Sequence, residues 1–241
     1  MPSPWLTIVT VTKSDPAGLA RTLASAESWR RRPGVEQVVV HAGAPPASLP
    51  GDVRAAAQSG LGIAAAYNEG LACARGEWVW FLNGGDAIHE ELDAAWLEAW
   101  LRRTAAVAVF GAVHHDGEPA ARPHPPLGGQ RLWLRCWPQH PAAIARRDAL
   151  RAAGGFDAAW SIAMDYDLWL RLLAAEPVVD VVSLPMARFD VTGLSSCADS
   201  APVLRREIAR LVWRERGRLA AGLFREAGGL ARALARAWRH L

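Results

Sequence analysis

The sequence predicts an α/β fold on a largely parallel sheet, and three observations carry that prediction. Residues 6–11 (LTIVTV), 35–40 (VEQVVV) and 77–82 (EWVWFL) are short apolar runs rich in β-branched and aromatic side chains, the pattern of buried strands. Stretches with helical apolar spacing lie between them. The chain has 241 residues, 51% of them apolar, which suffices for one α/β core with a small appendage.

The elements follow in order. After the first strand, Thr12-Lys13-Ser14-Asp15-Pro16 is a loop with a helix start: Ser14 or Asp15 can cap, and Pro16 suits the first turn. Leu19, Leu23 and Ala26 space a helix over 17–29, which 30–34 interrupts before the second strand. Strand, helix and strand in succession predict a right-handed parallel unit. Ligands of such sheets lie beyond the carboxyl ends of the strands, so the loops after Val11 and Val40 face the site. Residues 41–51 form a Gly/Pro/Ala loop, 53–58 a weak segment and 62–74 a helix with a Gly-rich entry. Beyond the third strand come a tight turn at 83–86, a helix over 90–103, a strand over 105–113 and a Pro/Gly-rich loop over 116–129. The rest reads as helices over 146–153 and 164–175, a late strand over 178–184 and a loop over 190–199. Residues 202–240 read as one or two basic amphipathic helices. The expected division is a catalytic body over 1–200 and a helical tail over 201–241.

Charge is uneven along the chain. Residues 201–241 hold ten Arg and three Glu, so the tail carries +7 of a net +3 and the body is mildly acidic. A basic tail suits an anionic membrane surface or an acidic partner, and equally a solvated helix face. Nucleic acid is not an expected partner, because the positive charge is confined to the tail and no recognised binding module occurs. Cys73, Cys136 and Cys197 form neither a C-x-x-C pair nor a zinc-spaced cluster, which fits a reducing cytosol. No leader-like stretch opens the sequence and no run of about 18 apolar residues occurs, so a cytoplasmic location is expected.

Three local features could carry chemistry. In Phe81-Leu82-Asn83-Gly84-Gly85-Asp86, an apolar strand delivers a carboxylate into a turn of small residues. Such a turn lets a phosphate ligand and a hard cation approach the backbone, with Asp86 on the cation and Asn83 in support. It is also what an ordinary Asn-Gly turn looks like. In Met164-Asp165-Tyr166-Asp167, two acids open a helix, where the helix dipole favours them. Two residues apart, they point in different directions, so one can serve as a general base and the other is structural; both could equally be caps. His140, in Trp137-Pro138-Gln139-His140-Pro141, could meet an acceptor or a phosphate, or be a satisfied polar group.

The order of LTIVTVTKSDPAGLARTLAS, VEQVVVHAG, GIAAAYNEGLACARGEWVWFLNGGD, FGAVHHDG, QHPAAIARRDALRAAGGFD, IAMDYDLWLRLL and FDVTGLSS resembles the family 2 glycosyltransferases, especially the bacterial exopolysaccharide and capsule group. The resemblance covers about residues 5–197, and its specific blocks are 68–86 and 140–172. It implies a GT-A fold, a nucleotide-binding α/β half joined to an acceptor half by one mixed central sheet, here followed by the helical tail. It implies an inverting transfer from a nucleotide-diphosphate sugar to a saccharide or lipid-linked acceptor, in polysaccharide synthesis at the cytosolic membrane face. It places Asp86 at the last acid of the metal-binding motif, with Mn²⁺ or Mg²⁺ as the cofactor, and Asp165 at the catalytic base. Thr10, Thr12, Asn68 and Asn83 fall on the donor side, and His140 and Asp167 on the acceptor side.

Two departures stand out. The family's acid after the second strand is absent, since the strand runs into His41-Ala42-Gly43, and His41 is the available substitute contact with the donor. The acid often found three residues before Asn68 is Ala65 here. These gaps motivate a rival reading, a catalytically weak GT-A-like scaffold partnering an active transferase.

Overall fold

The computed structural model describes residues 3–121, 139–175, 177–193, 198–215 and 217. Among them, eight strands form one mixed sheet in the order β3-β2-β1-β4-β7-β6-β8-β5. The strands are β1 (Leu6–Lys13), β2 (Val35–Ala42), β3 (Val53–Ala57), β4 (Trp78–Phe81), β5 (Ala87–Ile88), β6 (Ala108–His115), β7 (Ala143–Arg146) and β8 (Val179–Phe189). The first half, β3-β2-β1-β4, is parallel throughout. β7 joins it to the second half by pairing antiparallel with both β4 and β6.

Strand alternation sorts the core onto the two faces of the sheet. Val9 and Val11 of β1, with Val79 and Phe81 of β4, pack under α3 (Ile63–Cys73) and α6 (Met164–Leu173). Their sequence neighbours Leu6, Ile8, Trp78, Trp80 and Leu82 pack on the other face, with Trp29 of α2 (Glu27–Arg30) and Leu97 and Leu101 of α4 (Ala94–Leu101). α1 (Pro16–Ser25) starts where expected, and Asp15 provides the cap by accepting from Gly18 N at 2.8 Å.

Several boundaries differ from the sequence reading. The helix expected from 90 begins at Ala94, because Asp93 caps it through Trp96 N at 2.6 Å and residues 90 and 91 form a turn after β5. β7 was not expected: its four residues are flanked by a 3₁₀ turn (His140–Ala142) and α5 (Arg147–Ala152), too short to show a period. β8 runs on to Phe189, its register to β6 shifting around Ala112 where Pro185 interrupts the ladder. The expected loop over 116–129 is described only to residue 121, and the rest lies outside the described residues.

The largest correction concerns the tail. Residues 201–215 are helical, and that helix is packed into the body. Leu211 is fully buried in the core shared with Leu168 and Trp169, and Leu204 and Ile208 pack against it. A boundary at residue 200 therefore cuts through a core. The rest of the expected amphipathic tail falls almost wholly outside the described residues. No described helix is long and apolar enough to cross a membrane.

Candidate active site

The carboxyl ends of β1, β2 and β4 lie side by side in parallel register, and the turn after β4 sits among them. That turn is fixed from three sides. Asp86 N donates to Asn83 O at 3.0 Å within it. From α1, Thr22 Oγ1 donates to the Asp86 carbonyl at 2.6 Å and accepts Gly85 N at 3.1 Å. From the end of β8, Asp190 N donates to Asp86 Oδ1 at 3.0 Å, while Asn83 N donates to Oδ2 at 3.1 Å. Asp86 is only 1% exposed, and burial pushes its carboxyl up to about 7 against the pull of those two N–H donors.

Gly85 has φ +107°, in the region that favours glycine. A side chain there would also strike Asp190, whose Oδ2 lies 2.4 Å from the place of a Cβ. Asp190 therefore fills the space that a side chain at 85 would claim. Across the gap, Arg21 grips Asp116 and faces Asp190 and Asp86, and these three carboxylates raise its pKa further.

The expectation of a metal on Asp86 can be tested against this arrangement. A ligand for Mn²⁺ or Mg²⁺ must present an oxygen to the ion. Asp86 is sealed, and each of its oxygens already accepts a backbone N–H. No group of three His, Cys, Asp or Glu that could hold a metal occurs among the described residues. Asp86 thus clamps the turn through these two amides, and no step below runs through a cation.

Tyr67 of α3 is the hub of the site. Its buried hydroxyl donates to Asn83 Oδ1. Burial first, then the negative charge of Asp165 and of Asp86, push its pKa well up. The charges of both carboxylates therefore reach this one phenol. His140 stacks on Phe81 at 5.6 Å and lies tilted against the Tyr67 ring at 5.0 Å. Both His140 nitrogens are buried without a hydrogen-bond partner, and burial lowers its pKa to about 3, so the ring is neutral.

Asp165 stands in the first turn of α6, part-exposed, with Oδ1 accepting Tyr166 N at 2.7 Å. Its crowded surroundings push the carboxyl up to about 6, the dominant cause being desolvation. Thr12 and His41 are direct register partners at the ends of β1 and β2, and Thr12 Oγ1 lies against Gly84. His41 Nδ1 is 3.1 Å from the Gly43 carbonyl.

Three expected site residues are used elsewhere. Thr10 is fully buried and accepts Gln37 Nε2 at 2.9 Å, beneath the strand end. Asn68 clasps the backbone of Phe156, donating to its carbonyl at 2.7 Å and accepting its N–H at 2.8 Å. That clasp requires Gly155, whose φ is +66° and whose Cβ would lie 2.5 Å from Asn68 Oδ1. Asp167 is fully buried between Arg171 and Arg214, each 2.6 Å away, so it is not free to face an acceptor. Of the two acids on α6, Asp167 is the structural one. Asp190 was missed, since a single Asp in a loop carries no spacing signal.

Residues 7–144, more than half of the chain, match the profile of Glycosyl transferase family 2. The chain belongs to that family. It is 26% identical over 219 residues to an uncharacterized glycosyltransferase of Mycobacterium tuberculosis, found in two strains, covering 83% of this chain and 80% of the relative. Among solved structures it resembles the 1–349 fragment of S. aureus TarS, with TM-score 0.62 and 16% identity over 77% of this chain and 60% of that one. The TarS fragment has also been solved with UDP (TM-score 0.60, 16% identity) and with UDP-GlcNAc (TM-score 0.55, 14% identity). The chain thus spans about 60% of that TarS fragment, and at this identity the likeness concerns the GT-A-like fold alone.

Proposed function

We propose that this glycosyltransferase moves a sugar, with inversion, from a nucleotide-diphosphate donor to a hydroxyl of a saccharide or lipid-linked acceptor, with Asp165 as general base. The observation that carries the reading is that the turn holding Asp86 sits at the carboxyl ends of β1, β2 and β4 and is bonded through Asn83 to Tyr67, a phenol that the charge of Asp165 also reaches. Asp86 shapes the turn on which the donor's diphosphate rests. Asp165, with a pKa near 6, is largely ionised at neutral pH and still basic enough to accept a proton. The acceptor oxygen forms its bond to the anomeric carbon from the face opposite the diphosphate. Asp165 takes the hydroxyl proton, and the bond to the diphosphate oxygen breaks, releasing the nucleoside diphosphate.

Thr12, Asn83 and His41 are assigned to the donor side, and His140, neutral and with both nitrogens unpaired, to the acceptor side. Because TarS has been solved with UDP and UDP-GlcNAc, uridine donors are the first to try. The product belongs to cell-surface polysaccharide synthesis at the cytosolic membrane face, where the Arg-rich sequence after residue 217 would meet anionic lipid.

The test is a thermal-shift panel of nucleoside diphosphates and nucleotide-sugars, followed by a nucleotide-release assay on whichever binds. Ligand binding raises the melting midpoint by mass action. A shift with one diphosphonucleotide and release that depends on Asp165 support the reading. Folded protein that shifts with none of them supports the scaffold reading instead.

A further inference from the structure

Glu207 is a charged residue on the helix over 201–215, yet it is only 6% exposed. Its carboxylate accepts three consecutive backbone N–H groups: Ser161 at 2.7 Å, Ile162 at 3.0 Å and Ala163 at 2.9 Å. These are the residues from which α6 springs, and Asp165 is the second residue of α6. Ala163, at the N-cap, has no side chain to cap with, and Glu207 ties down its N–H together with those of the two residues leading into the helix. Burial works against the Glu207 charge, but the three amides outweigh it and hold its carboxyl below the usual range.

The same helix holds α6 at further points. Arg214 Nη1 bonds Asp167 Oδ1 at 2.6 Å, and Asp167 shares Arg171 with α6 itself. Arg210 and Arg214 lie over the Trp160 ring at 5.1 and 5.9 Å. Leu204, Glu207, Ile208, Leu211 and Arg214 follow helical spacing, so one stripe carries both the apolar packing and the charged contacts. Polar groups this deeply buried are costly unless fully paired, which makes the contact specific as well as adhesive.

We propose that Glu207 is a positioning residue for the Asp165 base: from a distant helix it sets the start of α6 and thereby the placement of the Asp165 carboxylate. This rests on the reading of Asp165 as the base. The basic C-terminal region is then part of the catalytic apparatus, and its first helix cannot be removed as a detachable anchor.

The experiment compares wild type with Glu207→Gln, which keeps shape but removes the charge and one acceptor oxygen. Two measurements need no substrate: amide hydrogen exchange over 161–166, and the ¹³C titration of the Asp165 carboxyl. Faster exchange at 161–163 and an Asp165 midpoint that falls from about 6 toward the ordinary carboxylate range are expected, with the melting midpoint largely kept. Unchanged exchange together with an unchanged Asp165 titration would overturn the proposal. If Glu207→Gln does not fold, Glu207→Asp, which keeps the charge on a shorter arm, is measured in the same way. Turnover of UDP-GlcNAc supplies a third reading: a roughly tenfold or greater loss of kcat with UDP affinity within about twofold supports positioning, and equal losses in both count against it. Asp165→Asn as active as wild type sinks the base reading, whereas normal exchange and titration in Glu207→Gln sink only the positioning.

Discussion

The Asp86 carboxylate accepts the backbone N–H of Asp190 at 3.0 Å, closing a contact between residues 104 positions apart. It joins the turn after β4, in the parallel half of the sheet, to the end of β8 in the other half. Replacing Asp86 by Ala leaves the N–H groups of Asn83 and Asp190 without their acceptor in a buried place. The expected cost is about 2–4 kcal/mol, measured by urea unfolding. Asp86→Asn is milder, and because Asp86 clamps the turn, any Mn²⁺ dependence of nucleotide binding is expected to survive in that variant. A Mn²⁺ response lost in Asp86→Asn with the fold intact would return Asp86 to the role of metal ligand.

Stability should also depend on pH in a defined sense. The carboxyls of Asp86 and Asp165 rise on folding from 3.8 to about 7 and about 6. Between about pH 4 and pH 7 these two carboxyls hold protons in the native state that they release in the unfolded chain, so their contribution to stability falls as pH rises, while His140, lowered from 6.5 to about 3 by burial, contributes in the opposite sense. Removing the Asp86 proton is therefore read as a difference: across this window the wild-type melting midpoint is expected to lose more than that of Asp86→Asn. A wild-type midpoint that follows the same pH course as that of Asp86→Asn contradicts the raised carboxyl of Asp86.

Asp165→Asn is expected to lower kcat by about 10²- to 10⁴-fold while nucleotide affinity stays within about twofold. In wild type, the rate should rise with pH and level off above about 6, because the base must be ionised. A pH-rate profile and a nucleotide titration check both halves.

Asn68→Ala separates a clasp from a ligand contact. Losing both bonds to Phe156 should destabilise the fold by about 1–3 kcal/mol, with little change in donor affinity. A large loss of affinity on a fold of normal stability would restore Asn68 to the donor side.

Much of this was legible in the sequence, for identifiable reasons. β1, β2 and β4 announce themselves because buried parallel strands need near-continuous apolar residues, and the Val, Ile, Leu, Trp and Phe of LTIVTV, VEQVVV and EWVWFL supply most of each run. Asp15, Asp86 and Asp165 could be singled out because each stands at the end of a periodic segment. β7 could not, since AIAR is too short to show a period and its pairing is set by strands remote in sequence. The roles of Thr10, Asn68 and Asp167 depend on Gln37, Phe156 and Arg214, and nothing local encodes such partners. Glu207 did leave a trace: it sits inside the apolar stripe of Leu204, Ile208 and Leu211, where a solvated acid is out of place.

A double-mutant cycle probes the fit between Gly85 and Asp190. Gly85→Ala alone should cost about 1–3 kcal/mol, from its positive φ and its collision with Asp190. In an Asp190→Ala background the collision is gone and only the backbone cost remains. The expected coupling is about 0.5–2 kcal/mol, and strict additivity would mean that Asp190 simply moves aside.

That fit also bears on ancestry. If one volume serves the side chains of both 85 and 190, the two positions make a single choice, and a lineage cannot change one freely without the other. Relatives with a bulky or acidic residue at the position of Gly85 should then carry a small one at the position of Asp190. An acid carried by either strand end would be an alternative occupant of the same space, and a family tree should show exchanges between the two.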